Sequence, residues 1–237
     1  MSTDLLTALA FGIEAVFWLG AYIMIARRGF IDKIYGMPIV AMCANISWEF
    51  LFGAGFFSAC PEAWAACPPA LVQTGTFGAA LLDVIIVYTI LKYGREQFTL
   101  PVMRQYFPYI VLGGIFIAFT VLHPTIASFY TVENGVYTPI SVQGGGYTGY
   151  GMALMMGVLF IAMFYARGNM AGQSFYIALF MAMGNVFAYL FNYFVFAGNV
   201  PIVITVLAFW TAVFNFTYVY LTYTKCQEMG INPWQHI

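Results

Sequence analysis

At 237 residues with a formal net charge of −1, the chain is 62% hydrophobic and only 7% charged. A water-soluble domain of this length needs far more charge on its surface, so the solvent here is lipid. The near-zero net charge offers nothing to nucleic acid.

Seven apolar runs are long enough to cross a bilayer core, about 20 residues as helix. Span 1 is predicted at 5–26, carries Glu14 in its outer half and ends IARRG. Span 2, at 38–57, contains CANISWEFLFG with Asn45 and Glu49 one turn apart. A short loop follows in which Cys60 and Cys67 lie among Pro61, Pro68 and Pro69, a spacing that admits a disulfide in an oxidising compartment. Span 3, at 71–91, carries Asp83; span 4, at 106–125, has His123 before Pro124. A long loop is expected from Tyr130 to Gly145, placed to cover a site. Spans 5, 6 and 7 are predicted at 146–166, 173–196 and 201–224, with Asn185 and Asn192 on span 6 and Asn215 on span 7. Strand alternation is absent, and only helices satisfy such long segments of backbone in hydrocarbon. The expectation is a single all-α membrane domain of seven transmembrane helices.

Arg27, Arg28, Lys33, Lys92, Arg95, Arg104, Arg167 and Lys225 all fall after odd-numbered spans or before span 4. The positive-inside rule therefore predicts a multi-pass protein with its N terminus outside and its C terminus cytoplasmic. MSTDLLTALA lacks the basic start of a cleaved signal peptide, so span 1 is expected to stay. IARRG in span 1 matches YARG in span 5, and Asn45 follows Arg27 at the separation by which Asn185 follows Arg167. LLDVIIVYTILK and VFNFTYVYLTYTK align Asp83 with Asn215. This reads as a 3+1+3 parallel repeat of triple-helix units, repeat 1 about 5–91, connector helix about 106–125 and repeat 2 about 146–224. Such a plan places a site near midplane between repeats.

Glu14, Glu49 and Asp83 are the only acidic residues within spans, and each is costly there unless paired, solvated or protonated. Glu49 and Asn45 project from one helix face, coupling a carboxyl to an amide. Burial disfavours the charged form, which leaves Glu49 protonated and able to donate a proton. A plainer reading bonds Glu49 to Asn45 or Tyr88 for helix association, and treats Asn185, Asn192 and Asn215 as interhelical glue. Cys43 and Cys226 are isolated thiols, and no metal-ligand spacing occurs. Aromatic residues make up 19% of the chain, in part an interfacial belt. Trp48, Phe52, Phe187, Tyr189, Tyr193, Trp210, Phe214 and Tyr218 nevertheless share spans with the polar groups, and their faces can stabilise a cation.

NISWEF, from Asn45 to Phe50, together with the length and seven spans, resembles the integral-membrane terpene cyclases of the PaxB-like family, which act in meroterpenoid and indole diterpenoid biosynthesis. The resemblance covers nearly the whole chain. It implies a cyclase, without cofactor or metal, that protonates a terminal epoxide or olefin of a hydrophobic prenylated substrate entering from lipid. Carried over by motif, the acid is Glu49, with Asn45 and Trp48 beside it. The resemblance leads one to expect a second acidic residue in the last span, where this chain has Asn215. One alternative takes the second catalytic carboxylate from Asp83, its counterpart in the repeat, another lets the Asn215 amide orient Glu49, and a third is a lost or changed reaction. Glu14, Asn185, Tyr189, Trp210, Asn215 and Tyr218 complete the expected substrate-binding set. A membrane of this kind is the plasma or inner membrane in a bacterium and the endoplasmic reticulum in a fungus.

Three rivals exist on residues alone. A retinal protein needs a Lys within span 7, and Lys225 lies beyond its predicted end. A small seven-helix transporter of triple-helix-bundle type suits the repeat equally well. A purely structural subunit leaves the midplane carboxyls without a purpose. Substrate identity, ring pattern, proton acceptor and oligomeric state have no signature in the sequence.

Overall fold

The structure, a computed structural model, describes residues 3–58, 69–129, 132–133, 136–137 and 139–236. In chain order the helices are α1 (Thr3–Asp32), α2 (Ile39–Gly53), α3 (Pro69–Tyr93), a 3-10 turn (Gly94–Gln97), α4 (Pro101–Ala127), α5 (Pro139–Arg167), α6 (Phe175–Val195) and α7 (Ile202–Glu228). Between α4 and α5, β1 (Val132–Glu133) pairs antiparallel with β2 (Val136–Tyr137). The expected all-α class is therefore found, with seven α-helices among the described residues, six of them long and apolar enough to cross a membrane.

Two boundaries are corrected. Span 2 is a helix of only 15 residues, because the chain turns after Gly53: Gly55 adopts φ +79°, and the Phe57 N–H reaches back to the Leu51 carbonyl. The long loop expected from Tyr130 to Gly145 ends early, since the chain is helical from Pro139 and Gly144, Gly145 and Gly146 lie inside α5. In hydrocarbon the backbone bonds of a helix outweigh the poor helix propensity of glycine. Cys60 and Cys67 fall outside the described residues; Cys43 and Cys226 are buried free thiols.

α3 packs against both α1 and α2, and α7 against both α5 and α6, so the same pairing recurs in the two halves of the chain. The halves meet chiefly where α1 runs along α6. Lipid removes most of the hydrophobic driving force between helices, which leaves close approach of small residues to hold them. Gly20 faces the ring of Phe180, and Gly184 faces the indole of Trp18, so each glycine admits the ring of the opposite helix. α2 and α5 touch little, and α4 lies across them. α4 buries only Phe107, Val111 and Ile126, and turns Ile110, Phe116, Ile117 and Val121 outward to lipid.

The basic residues gather at one end of the bundle, where a clamp joins its halves. Arg28 forms a bidentate pair with Asp32, with bonds of 2.6 to 3.0 Å, and Asp32 also accepts from the Gly172 N–H at 2.7 Å. Arg167 donates to the carbonyls of Tyr35 and Ala171 while its guanidinium lies 4.5 Å from the centre of the Tyr35 ring. The turn after α1 is thereby fastened to the turn after α5.

Candidate active site

Where α2 and α5 part, a cavity of about 150 Å³ opens among α1, α2, α3, α5 and α6. Its walls follow helical periodicity. On α1 they are Phe11, Glu14, Trp18 and Tyr22; on α2, Asn45, Trp48 and Glu49; on α6, Asn185, Phe191 and Asn192. α3 presents Val72, Gly75, Thr76 and Ala79, and α5 presents Gly145, Gly146 and Gly149 before Tyr150, Ala153 and Met156. Small residues on α3 and α5 leave the space that polar and aromatic residues of the other three helices line.

A chain of hydrogen bonds crosses α3, α2 and α1 to reach one wall. The Asn45 amide donates to Asp83 Oδ2 at 2.8 Å and to the Tyr22 hydroxyl oxygen at 2.9 Å. Tyr22 has one hydroxyl hydrogen, and within reach are Glu49 Oε1 and Asn45 Oδ1, each at 3.2 Å. With Asn45 already acting as donor to Tyr22, that hydrogen goes to Glu49. Both hydrogens of the Asn45 amide are thus used, and the order of donation runs from Asn45 outward to Asp83 on one side and through Tyr22 to Glu49 on the other. All four residues are buried, and no Lys or Arg pairs with Glu49, Asp83 or Glu14 among the described residues.

The sequence-predicted residues divide accordingly. Glu14, Asn45, Trp48, Glu49 and Asn185 line the cavity. Asp83 lies behind Asn45, fully buried and off the cavity. Tyr189 bonds Thr205 at 3.2 Å between α6 and α7. Trp210 stands 48% exposed on the outer side of α7, packed on Phe209. Asn215 is buried beside Gly157 of α5 with neither amide atom hydrogen-bonded, and Tyr218 donates to Gln173 Oε1 at 2.9 Å in the core. Tyr88 is half exposed, so the phenol beside Glu49 is that of Tyr22 instead.

Tyr22, Phe11, Trp18, Tyr150 and Phe191 escaped the sequence reading. The available signal was the run Glu14, Trp18, Tyr22, one residue per turn on one face of span 1. Trp48 spans the gap between α2 and α5 by donating from Nε1 to Thr148 Oγ1 at 2.9 Å, and its ring lies against Phe52 with centres 4.4 Å apart and planes tilted by 39°.

A sequence model of the Pyr4-like transmembrane terpene cyclases matches residues 3–227. Among curated proteins, the Pyr4-family terpene cyclase mfmH of Annulohypoxylon moriforme is 35% identical over 72% of this chain and 63% of its own length. Terpene cyclase macJ of Penicillium terrestre is 27% identical over 74% of this chain and 62% of its own. Asnovolin H synthase nvfL of Aspergillus novofumigatus is 25% identical over 73% and 64%. The chain therefore spans under two thirds of the length of these relatives. No solved structure matches it.

Proposed function

We propose that this chain, which belongs to the Pyr4-like transmembrane terpene cyclases, is a membrane-embedded cyclase in which Glu49 gives the initiating proton to a hydrophobic prenylated substrate. The observation that carries this reading is the bonded chain from Asp83 through Asn45 and Tyr22 that ends on Glu49 at the cavity wall. With Tyr22 donating to Oε1, that oxygen serves as the carbonyl of the neutral acid, and the proton resides on Oε2. Loss of the proton leaves a carboxylate that the Tyr22 hydroxyl stabilises, so one hydrogen bond supports the group before and after transfer.

The substrate class that suits this site is a polyene bearing a terminal epoxide or olefin, of the meroterpenoid type. Protonation opens the epoxide or creates a tertiary cation, and neighbouring double bonds close rings in succession. Trp18, Trp48, Phe11 and Phe191 face the cavity and offer their π clouds to the travelling positive charge. Asp83 acts here as a positioning residue through Asn45 and Tyr22. Family membership favours cyclisation over the transporter reading.

The test uses the full chain in lipid nanodiscs with a panel of farnesyl- and geranylgeranyl-substituted phenols and indoles carrying terminal epoxides. Conversion to an isomer of equal mass and different retention is expected. Glu49→Gln should lower the rate by about 10²- to 10⁴-fold, the usual contribution of a general acid. Undiminished conversion by that variant removes Glu49 from the chemistry.

A further inference from the structure

Cyclisation that begins by taking up a proton ends by giving one back, and in a polyene the last cation forms well away from the end that the donor protonated. Among the described residues that line the cavity, the carboxyls are Glu49 and Glu14. Glu14 sits two helical turns before Tyr22 on α1, a rise of about 12 Å, with Trp18 midway between them. Its Oε2 is buried and has no hydrogen-bond partner.

Polar neighbours along the same walls are already engaged. Tyr150 donates to the Asn185 carbonyl at 3.1 Å, and Thr76 donates to the Val72 carbonyl at 2.8 Å. The amides of Asn185 and Asn192 donate to the carbonyls of Met181 and Ala188 in their own helices. Hydroxyls and amides are also far weaker bases than a carboxylate. A buried carboxyl oxygen on a cavity wall with no protein partner is open to a hydrogen brought by whatever occupies the cavity.

Resting on the cyclase reading above, we propose that Glu14 is the terminal base, the group that takes the proton released as the last ring is finished. The reacting state is the one in which Glu49 holds its proton and Glu14 has passed its own to water in the cavity, leaving a carboxylate. The Glu49 O–H bond breaks as its hydrogen joins the epoxide oxygen and the C–O bond opens. Each double bond in turn spends its π pair on a new ring C–C bond. The final cation loses a hydrogen from an adjacent carbon, that C–H pair becomes a C=C bond, and the hydrogen forms an O–H bond on Glu14. One proton enters the substrate and one leaves, so the product is an isomer. The two carboxyls carry one negative charge before and after cyclisation and two while the substrate is a cation, so carboxyls and substrate together stay at −1 throughout, and no Lys or Arg lines the cavity among the described residues. After product departure, a proton passes from Glu14 to Glu49 through water admitted to the cavity.

Wild type, Glu14→Gln, Glu14→Asp and Glu49→Gln are compared in nanodiscs with the same epoxide panel, following both substrate consumption and product structure. Glu14→Gln should consume substrate within about tenfold of wild type, because initiation belongs to Glu49. Its products should shift to double-bond isomers, incompletely cyclised olefins and water-quenched alcohols. Glu14→Asp keeps a carboxyl one methylene away, and should give a mixture dominated by the wild-type product; that ratio is the readout if the Gln variant does not fold. A product distribution identical to wild type in these variants overturns the role of Glu14, as does complete loss of consumption by a folded Glu14→Gln protein. Absence of cyclisation by wild type overturns the cyclase reading and the terminal base with it, whereas full activity of Glu49→Gln removes Glu49 as the donor and overturns the proton path from Glu49 to Glu14.

Discussion

Tyr22 shows how one side chain sets the condition of another. Replacing it by Phe removes the hydrogen that Glu49 accepts and the oxygen that Asn45 addresses, with little change of shape. A hydrogen bond to a charged group contributes about 1.5–3 kcal/mol, so Tyr22→Phe should lower kcat roughly 10- to 100-fold. KM should change far less, and steady-state kinetics on the purified variant separate the two. A raised KM with unchanged kcat would instead assign Tyr22 to substrate binding. The pairing of Asn45 with Glu49 was legible because a four-residue spacing forces both onto one face of α2. Tyr22 was not, because a stripe on span 1 does not say which helix it faces. Asp83 was legible as buried and polar, whereas its bond to Asn45 depends on how α3 is rotated against α2, which hydropathy does not encode.

Among elements, α2 and α3 meet closely at Gly53, where a Cβ would come within 2.7 Å of the Phe77 Cα and 2.8 Å of its nitrogen. Backbone cannot swing aside as a side-chain tip can. Gly53→Ala should therefore push the end of α2 off α3, at a cost of about 1–3 kcal/mol as for other overpacked sites. Because Glu49 lies one turn earlier, the same displacement should reduce turnover. A lowered thermal midpoint together with reduced activity checks the prediction; an unchanged midpoint contradicts it. Helix number and order were readable from hydropathy alone. The end of α2 was not, since Phe56 and Phe57 continue the apolar run past a turn that Gly55 makes. The glycines at 144–146 were visible but suggested a loop, whereas in α5 two of them, Gly145 and Gly146, make room for the cavity.

At the scale of the molecule, the sequence placed the basic residues on one side of the membrane but left the neighbours of each helix open. The long contact of α1 with α6 arises from Gly20 and Gly184 meeting opposite rings, and nothing in an isolated span announces its partner. α2 and α5, by contrast, part around the cavity and are bridged by Trp48 and Thr148. The brevity of α2 then acquires a physical meaning. Its 15 residues rise about 22 Å, against a hydrocarbon layer of about 30 Å, while its neighbours run 21 to 30 residues. The helix that holds Glu49 is thus hydrophobically mismatched, and the layer must thin around it or leave its ends in a polar dimple. Turnover should accordingly depend on acyl-chain length. Reconstitution in bilayers of 14-, 18- and 22-carbon lipids should give highest activity in the thinner ones, and a flat response would show that the protein shields α2 from lipid thickness. Membrane composition would then act as a rheostat on the chemistry, through the one helix too short to ignore it.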